Sequence, residues 1–162
     1  MPLPHVLSKQ LCRLALLFWV AGTGILGWYF ITGNTDPGDD GRTAIHLVPA
    51  ERAFILKEMR QLLQAVHGVV TGLSDPDQSL GRTQSSAGAR SGGMEMAADT
   101  NPALMLKLPL PFKQMGISVH RDFDRLAEAI TDGATSQDVI SQLSNITSRC
   151  TACHEMYQFT TS

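Results

Sequence analysis

The sequence predicts an all-α protein, an antiparallel four-helix bundle preceded by one N-terminal transmembrane helix. Three observations carry this expectation. Residues 14–35, LALLFWVAGTGILGWYFITGNT, contain no charged side chain, and about 20 apolar residues cross a bilayer core. Beyond residue 48, apolar side chains recur at spacings of three and four, which marks one face of a helix. No segment alternates as a half-buried strand does.

Residues 1–13 carry Lys9 and Arg13 and no acid, so they are expected on the cytoplasmic side by the positive-inside rule. Residues 14–35 follow as the anchor, with Trp28 and Tyr29 near the far end, where aromatic side chains favour the membrane interface. A cleaved signal is the alternative, but the apolar run is long and no small-x-small cleavage site stands out. Residues 36–47, rich in Gly, Asp and Pro at their start, are expected to be a linker. The soluble domain is then 48–162.

Within it, residues 49–73 place Ile55, Met59, Leu62, Val66, Val69 and Leu73 on one face, with Pro49 and Glu51 suited to the first turn. SDPD, 74–77, ends that helix and can start the next. Residues 78–97 form a weaker, glycine-rich helix with Leu80, Ala87 and Met94 on its face. Residues 99–111 are a Pro-punctuated connection. Residues 112–132 align Phe112, Met115, Val119, Phe123, Leu126 and Ile130, and Gly133 is a natural stop. Thr135 and Asp138 resemble a capping pair. The last helix carries Val139, Leu143, Ile146, Cys150 and Tyr157 on one side.

The chain's concentrated chemistry is CTACH, Cys150 to His154. Cys150, Cys153 and His154 project to one face of that helix. C-x-x-C-H is the attachment signature of c-type haem. Two thiols add to the two vinyl groups of one porphyrin, and the adjacent imidazole reaches its iron. Two rivals remain open. A structural zinc site needs four ligands, to which His46, His67 and His120 could contribute. A redox-active cysteine pair would want a βαβ setting. Cys12 stands alone, so the three cysteines form no disulfide framework. The net charge is −2 and no basic patch appears, which argues against nucleic acid as a partner.

An exported helical bundle with C-T-A-C-H near its C-terminus resembles the class II c-type cytochromes, cytochrome c′ and the cytochromes c556, over roughly residues 48–159. The resemblance implies one covalent haem c held by Cys150 and Cys153, with His154 as the proximal iron ligand. It also directs attention to ERAFILKEMRQ, residues 51–61, where the family has an Arg and then the residue over the distal face. Two registers are available. Arg52 followed by Leu56 suits a five-coordinate haem that binds nitric oxide or carbon monoxide. Met59 suits a six-coordinate haem that transfers electrons. His67 and His120 are further candidate ligands.

The tail departs from the family, since Tyr157 is followed by Gln158 rather than by a basic residue. The implied role is a membrane-tethered electron carrier in a bacterial inner membrane, its haem domain in the periplasm. Its partners would be membrane or periplasmic redox proteins. The resemblance leaves a homodimer open. No acid–base constellation accompanies the motif, so an enzyme is not expected. With Lys9 and Arg13 set apart, 11 Lys and Arg face 15 Asp and Glu beyond the anchor.

Overall fold

The computed structural model describes residues 5–98 and 100–161, the side chains of 5–8 excepted. The first four residues of the expected cytoplasmic segment lie outside it, as do Asp99 and Ser162. The described residues are mostly helical. Helix α1 spans His5–Thr32. Its stretch Lys9–Thr32 is 24 residues long and apolar enough to cross a membrane, as a single-pass anchor or a signal sequence does. The hydroxyls of Thr23 and Thr32 donate to the carbonyls of Trp19 and Trp28, four residues back. Neither hydroxyl hydrogen then has to face an apolar surround unpaired. The helix stops at Thr32 rather than running to 35, because Gly33 turns the chain at φ +69°.

The expected linker is not one. Thr35–Pro37 is strand β1 and Thr43–Leu47 is strand β2. Strand β3, Tyr157–Thr161, follows the last helix directly. The sheet order is β1-β2-β3, with β1 antiparallel and β3 parallel to β2. Central Ile45 and Leu47 are fully buried. They join Ile55, Leu104, Leu108 and Phe112 in one cluster, with Met59, Cys153, Tyr157 and Phe159 packed against it. On the other face His46 meets Asp36 and Thr160, each at 2.9 Å.

Helix α2, Pro49–Leu73, has the predicted limits. Its first turn is tied by the Val48 amide donating to Glu51 and by Lys107 donating to both Glu51 oxygens at 2.7 and 2.8 Å. Asp77 then caps α3, Gln78–Arg90, by accepting from the Ser79 and Leu80 amides. The expected face of this part is wrong: Leu80, Ala87 and Met94 are exposed. The buried face of α3 is Gly81, Ser85, Ser86 and Ala89. These small side chains let α3 lie close on α2. A Cβ on Gly88 would come within 2.7 Å of the Gly68 backbone. Ser85 and Ser86 satisfy their hydroxyls on the carbonyls of Val69 and Ala127. An amphipathic pattern cannot reveal such a face, because its residues are neither large nor apolar.

The helix expected over 78–97 breaks after Arg90, its end forming the short helix α4 (Met94–Ala97), and a second short helix, α5 (Pro102–Lys107), lies in the expected connection. Helix α6, Leu110–Thr131, buries Phe112, Val119, Phe123, Leu126 and Ile130, five of its six predicted positions. Gly133 stops it at φ +95°. Thr135 and Asp138 form the predicted capping box for α7, Ser136–Met156. Helix α2 packs on α3, α3 on α6 and α6 on α7. All four contribute to a second cluster centred on Ala65, Val69, Phe123, Leu126, Val139 and Ile146.

Candidate haem site

Between α2, α6 and α7 lies a cavity of about 480 Å³, within the 300–1,000 Å³ usual for ligand sites. From α7 it is lined by Cys150, Cys153 and His154, and from α2 by Leu56, Met59, Leu62 and Val66. From α6 come Phe112, Met115, Val119, His120 and Phe123. Helical spacing explains why one face of each helix meets here. Met59, Leu62 and Val66 stand three and four apart, as do Cys150, Cys153 and His154.

The heights of these residues follow from fixed contacts. Phe112 meets the Tyr157 ring edge-on at 5.3 Å, and Asp122 pairs with Arg149, so α6 and α7 run antiparallel. A Cβ on Gly92 would touch both Phe123 and Ala65, and Phe112 shares a cluster with Ile55, so α6 runs parallel to α2. Counting between these points puts Met59 and His154 at about the same height, on opposite walls. Leu56 lies nearly a turn away and still lines the cavity; Arg52 does not line it.

The thiols are half-buried. Burial, with Cys150 adding to it, pushes the Cys153 thiol up to about 11, and burial raises Cys150 as well. Reactive redox cysteines are shifted the opposite way, toward thiolate. The Cys150 thiol donates to the Ile146 carbonyl at 3.7 Å. The end of α7 is fastened twice. The Tyr157 amide donates to the Cys153 carbonyl, and Arg42 donates to the His154 carbonyl at 3.4 Å and to Gln158. Tyr157 packs as expected, but as the first residue of β3 rather than on the helix.

Of the other histidines, His46 and His67 do not line the cavity; His120 does. It is buried, with Nδ1 2.8 Å from the Gly92 carbonyl. A carbonyl only accepts, so Nδ1 is the donor in that contact. Glu58 was not foreseen. It lines the cavity, its Oε1 is buried without a hydrogen-bond partner, and burial raises its pKa. A charged residue beside an apolar helical stripe carries no signal of this kind, since such residues usually face water.

The donor set fits a haem better than a zinc ion. Among the described residues no group of three or more His, Cys, Asp or Glu side chains is assembled to hold a metal, whereas structural zinc needs four protein ligands. A porphyrin brings four nitrogens itself and asks the protein only for axial ligands, two thiols and an apolar slot. No family model, curated protein or solved structure matches this chain.

Proposed function

We propose that this chain is a membrane-anchored c-type cytochrome of the class II kind, a four-helix bundle that passes single electrons. Its haem c is bound through Cys150 and Cys153. The observation that carries the proposal is that one cavity is lined by Cys150, Cys153 and His154 from α7 and by Met59 from α2. When bound, haem c supplies an iron that alternates between two oxidation states. The protein's part is to hold and shield it. Cys150 and Cys153 fix the group by two thioether bonds. His154 would hold the iron through its imidazole and Met59 through its thioether, and methionine ligation would raise the reduction potential. Leu62, Val66, Val119 and Phe123 keep water from the site. The clasp on the end of α7 holds the His154 backbone while the charge on the site changes.

The domain sits in the periplasm of a bacterium, tethered to the inner membrane by α1, and its partners are membrane or periplasmic redox proteins. Contacts between the end of α1 and the domain support an anchor over a cleaved signal. Leu56 on the same cavity wall supports a second reading, a five-coordinate haem that binds nitric oxide or carbon monoxide.

Mass spectrometry of chain matured with the haem-attachment machinery should show one additional haem mass that survives denaturation, lost in Cys150→Ser/Cys153→Ser. A bare polypeptide mass in the wild type would end the proposal. The two ligation readings separate in the ferrous spectrum. With Met59 bound it is low-spin and carbon monoxide binds slowly; Met59→Leu turns it high-spin and open to the gas. A wild type that is already high-spin and binds carbon monoxide freely selects the Leu56 reading.

A further inference from the structure

Helix α1 is not joined to the domain by a free tether. Gly33 donates to the Tyr29 carbonyl at 2.8 Å and is pressed against the joint between α5 and α6. A Cβ there would come within 2.5–2.7 Å of the backbone of Lys107, Leu108 and Pro109, so glycine is needed for both its positive φ and the close approach. The next residue, Asn34, donates its amide to the Lys107 carbonyl at 2.8 Å and bonds to His46 of β2 in both directions. Lys113 of α6 is 5% exposed. Its ammonium donates to the Phe30 carbonyl at 2.5 Å and the Met105 carbonyl at 3.0 Å, and lies 3.8 Å from the Phe30 ring centroid. The carbonyls of a helix's last turn lack partners within the helix, and a cation there also suits the dipole.

The length of α1 says where this joint sits. Beyond Arg13, the uncharged part of α1, Leu14–Thr32, extends about 28 Å at ~1.5 Å per residue, against a hydrocarbon core of about 30 Å. With Lys9 and Arg13 among the cytoplasmic headgroups, the last turn, Tyr29 to Thr32, therefore emerges at the opposite boundary of the core, where its aromatic residues favour the headgroup layer. Whatever packs on that turn lies in the same layer, and α5 does. Its Leu106 is 40% exposed.

We propose that the domain is seated on the bilayer in one orientation, clamped by Lys113 and Gly33, with the Leu106 edge of α5 in the lipid headgroup layer. This rests on α1 being the retained anchor. Continuity with α1 makes lipid the occupant of that edge. It also sets the height of the site, because Phe112, which lines the cavity, is the neighbour of Lys113. A seated haem meets redox partners at a fixed distance from the membrane, whereas a tethered one would sample many.

Nitroxide labels test this on the haem-loaded full chain in a Cys12→Ser background, with Leu106→Cys or Ile140→Cys, in phosphatidylcholine vesicles. Ile140 is 51% exposed and lies at the opposite end of the domain. The ratio of oxygen to aqueous nickel-chelate accessibility should be several-fold higher at 106 than at 140. Lys113→Met should abolish the contrast while helical circular dichroism is retained. Equal ratios at both positions, with the protein still in the vesicle fraction, overturn the seating and leave the anchor intact. A contrast that persists in Lys113→Met overturns the clamp, and one that vanishes at low protein-to-lipid ratio assigns the edge to a second copy. A freely soluble chain beginning near Gly33 overturns the anchor itself.

Discussion

The same helices behave differently at their two ends. Toward the α2–α3 turn, α2, α6 and α7 close on α3 through Ala65, Val69, Ala89, Leu126, Ile130, Val139 and Ile146, all nearly inaccessible. There the chain supplies every partner its apolar side chains need. Toward the sheet, the same three helices open around the cavity, and Leu56, Met59, Leu62, Val66 and Met115 are only half-buried. The difference is one of neighbours, not of hydrophobicity. Helix α3 ends at Arg90, so beyond Gly92 a fourth wall is missing, and the cavity takes its place. One end is packed closed and the other keeps an open cavity lined by Cys150, Cys153 and His154.

Three substitutions probe that division. The largest effect belongs to the packed end. Leu126→Ala removes a fully buried side chain and should cost about 2–5 kcal/mol in urea unfolding. A loss below 1 kcal/mol would mean that the close-packed end does not dominate stability. At the cavity end, Met59→Leu should cost less than about 1.5 kcal/mol, since the swap nearly conserves volume, while altering the haem spectrum as described above. A variant that unfolded would erase the distinction between the two ends.

The smallest effect is at the joint between domain and anchor. The Lys107 ammonium, donating to both carboxylate oxygens, holds Glu51 below its usual 4.5. A depressed carboxylate stabilises the fold above its unfolded pKa and loses that contribution as pH falls through the folded value. Glu51→Gln should therefore lower stability at pH 7 by no more than about 1 kcal/mol, since the pair is partly exposed. The gap to wild type should close below about pH 4. A gap that is constant across pH 3–7 would assign it to packing instead.

Much of this was legible in the residues. The limits of α2, the stop at Gly133, the capping box of α7 and most of the apolar stripe of α6 are local signals, each set by side chains within one or two turns. C-x-x-C-H is also local, and a helical spacing of three and four is enough to put its three side chains on one face. The presence of an apolar segment long enough to span a membrane needs nothing beyond counting.

Other features depended on residues far apart in sequence. Strand β3 pairs Phe159 with Ile45, and no local period announces a five-residue strand at the end of a helix. The inward face of α3 is made of Gly, Ser and Ala, whose burial is decided by how closely α2 approaches. Arg52, Leu56 and Met59 are all candidates by spacing, and only the packing of α2, α6 and α7 puts Leu56 and Met59 on the cavity and leaves Arg52 off it. Gly33 reads as a helix stop in the chain and as a contact with α5 in the fold. Sequence by itself determined most of the long helices, the apolar N-terminal segment and the C-x-x-C-H motif, because hydrogen bonds and periodicity within a segment specify them. Tertiary structure alone decided which walls face that motif and how α1 meets the domain, because those depend on packing between segments that share no local pattern.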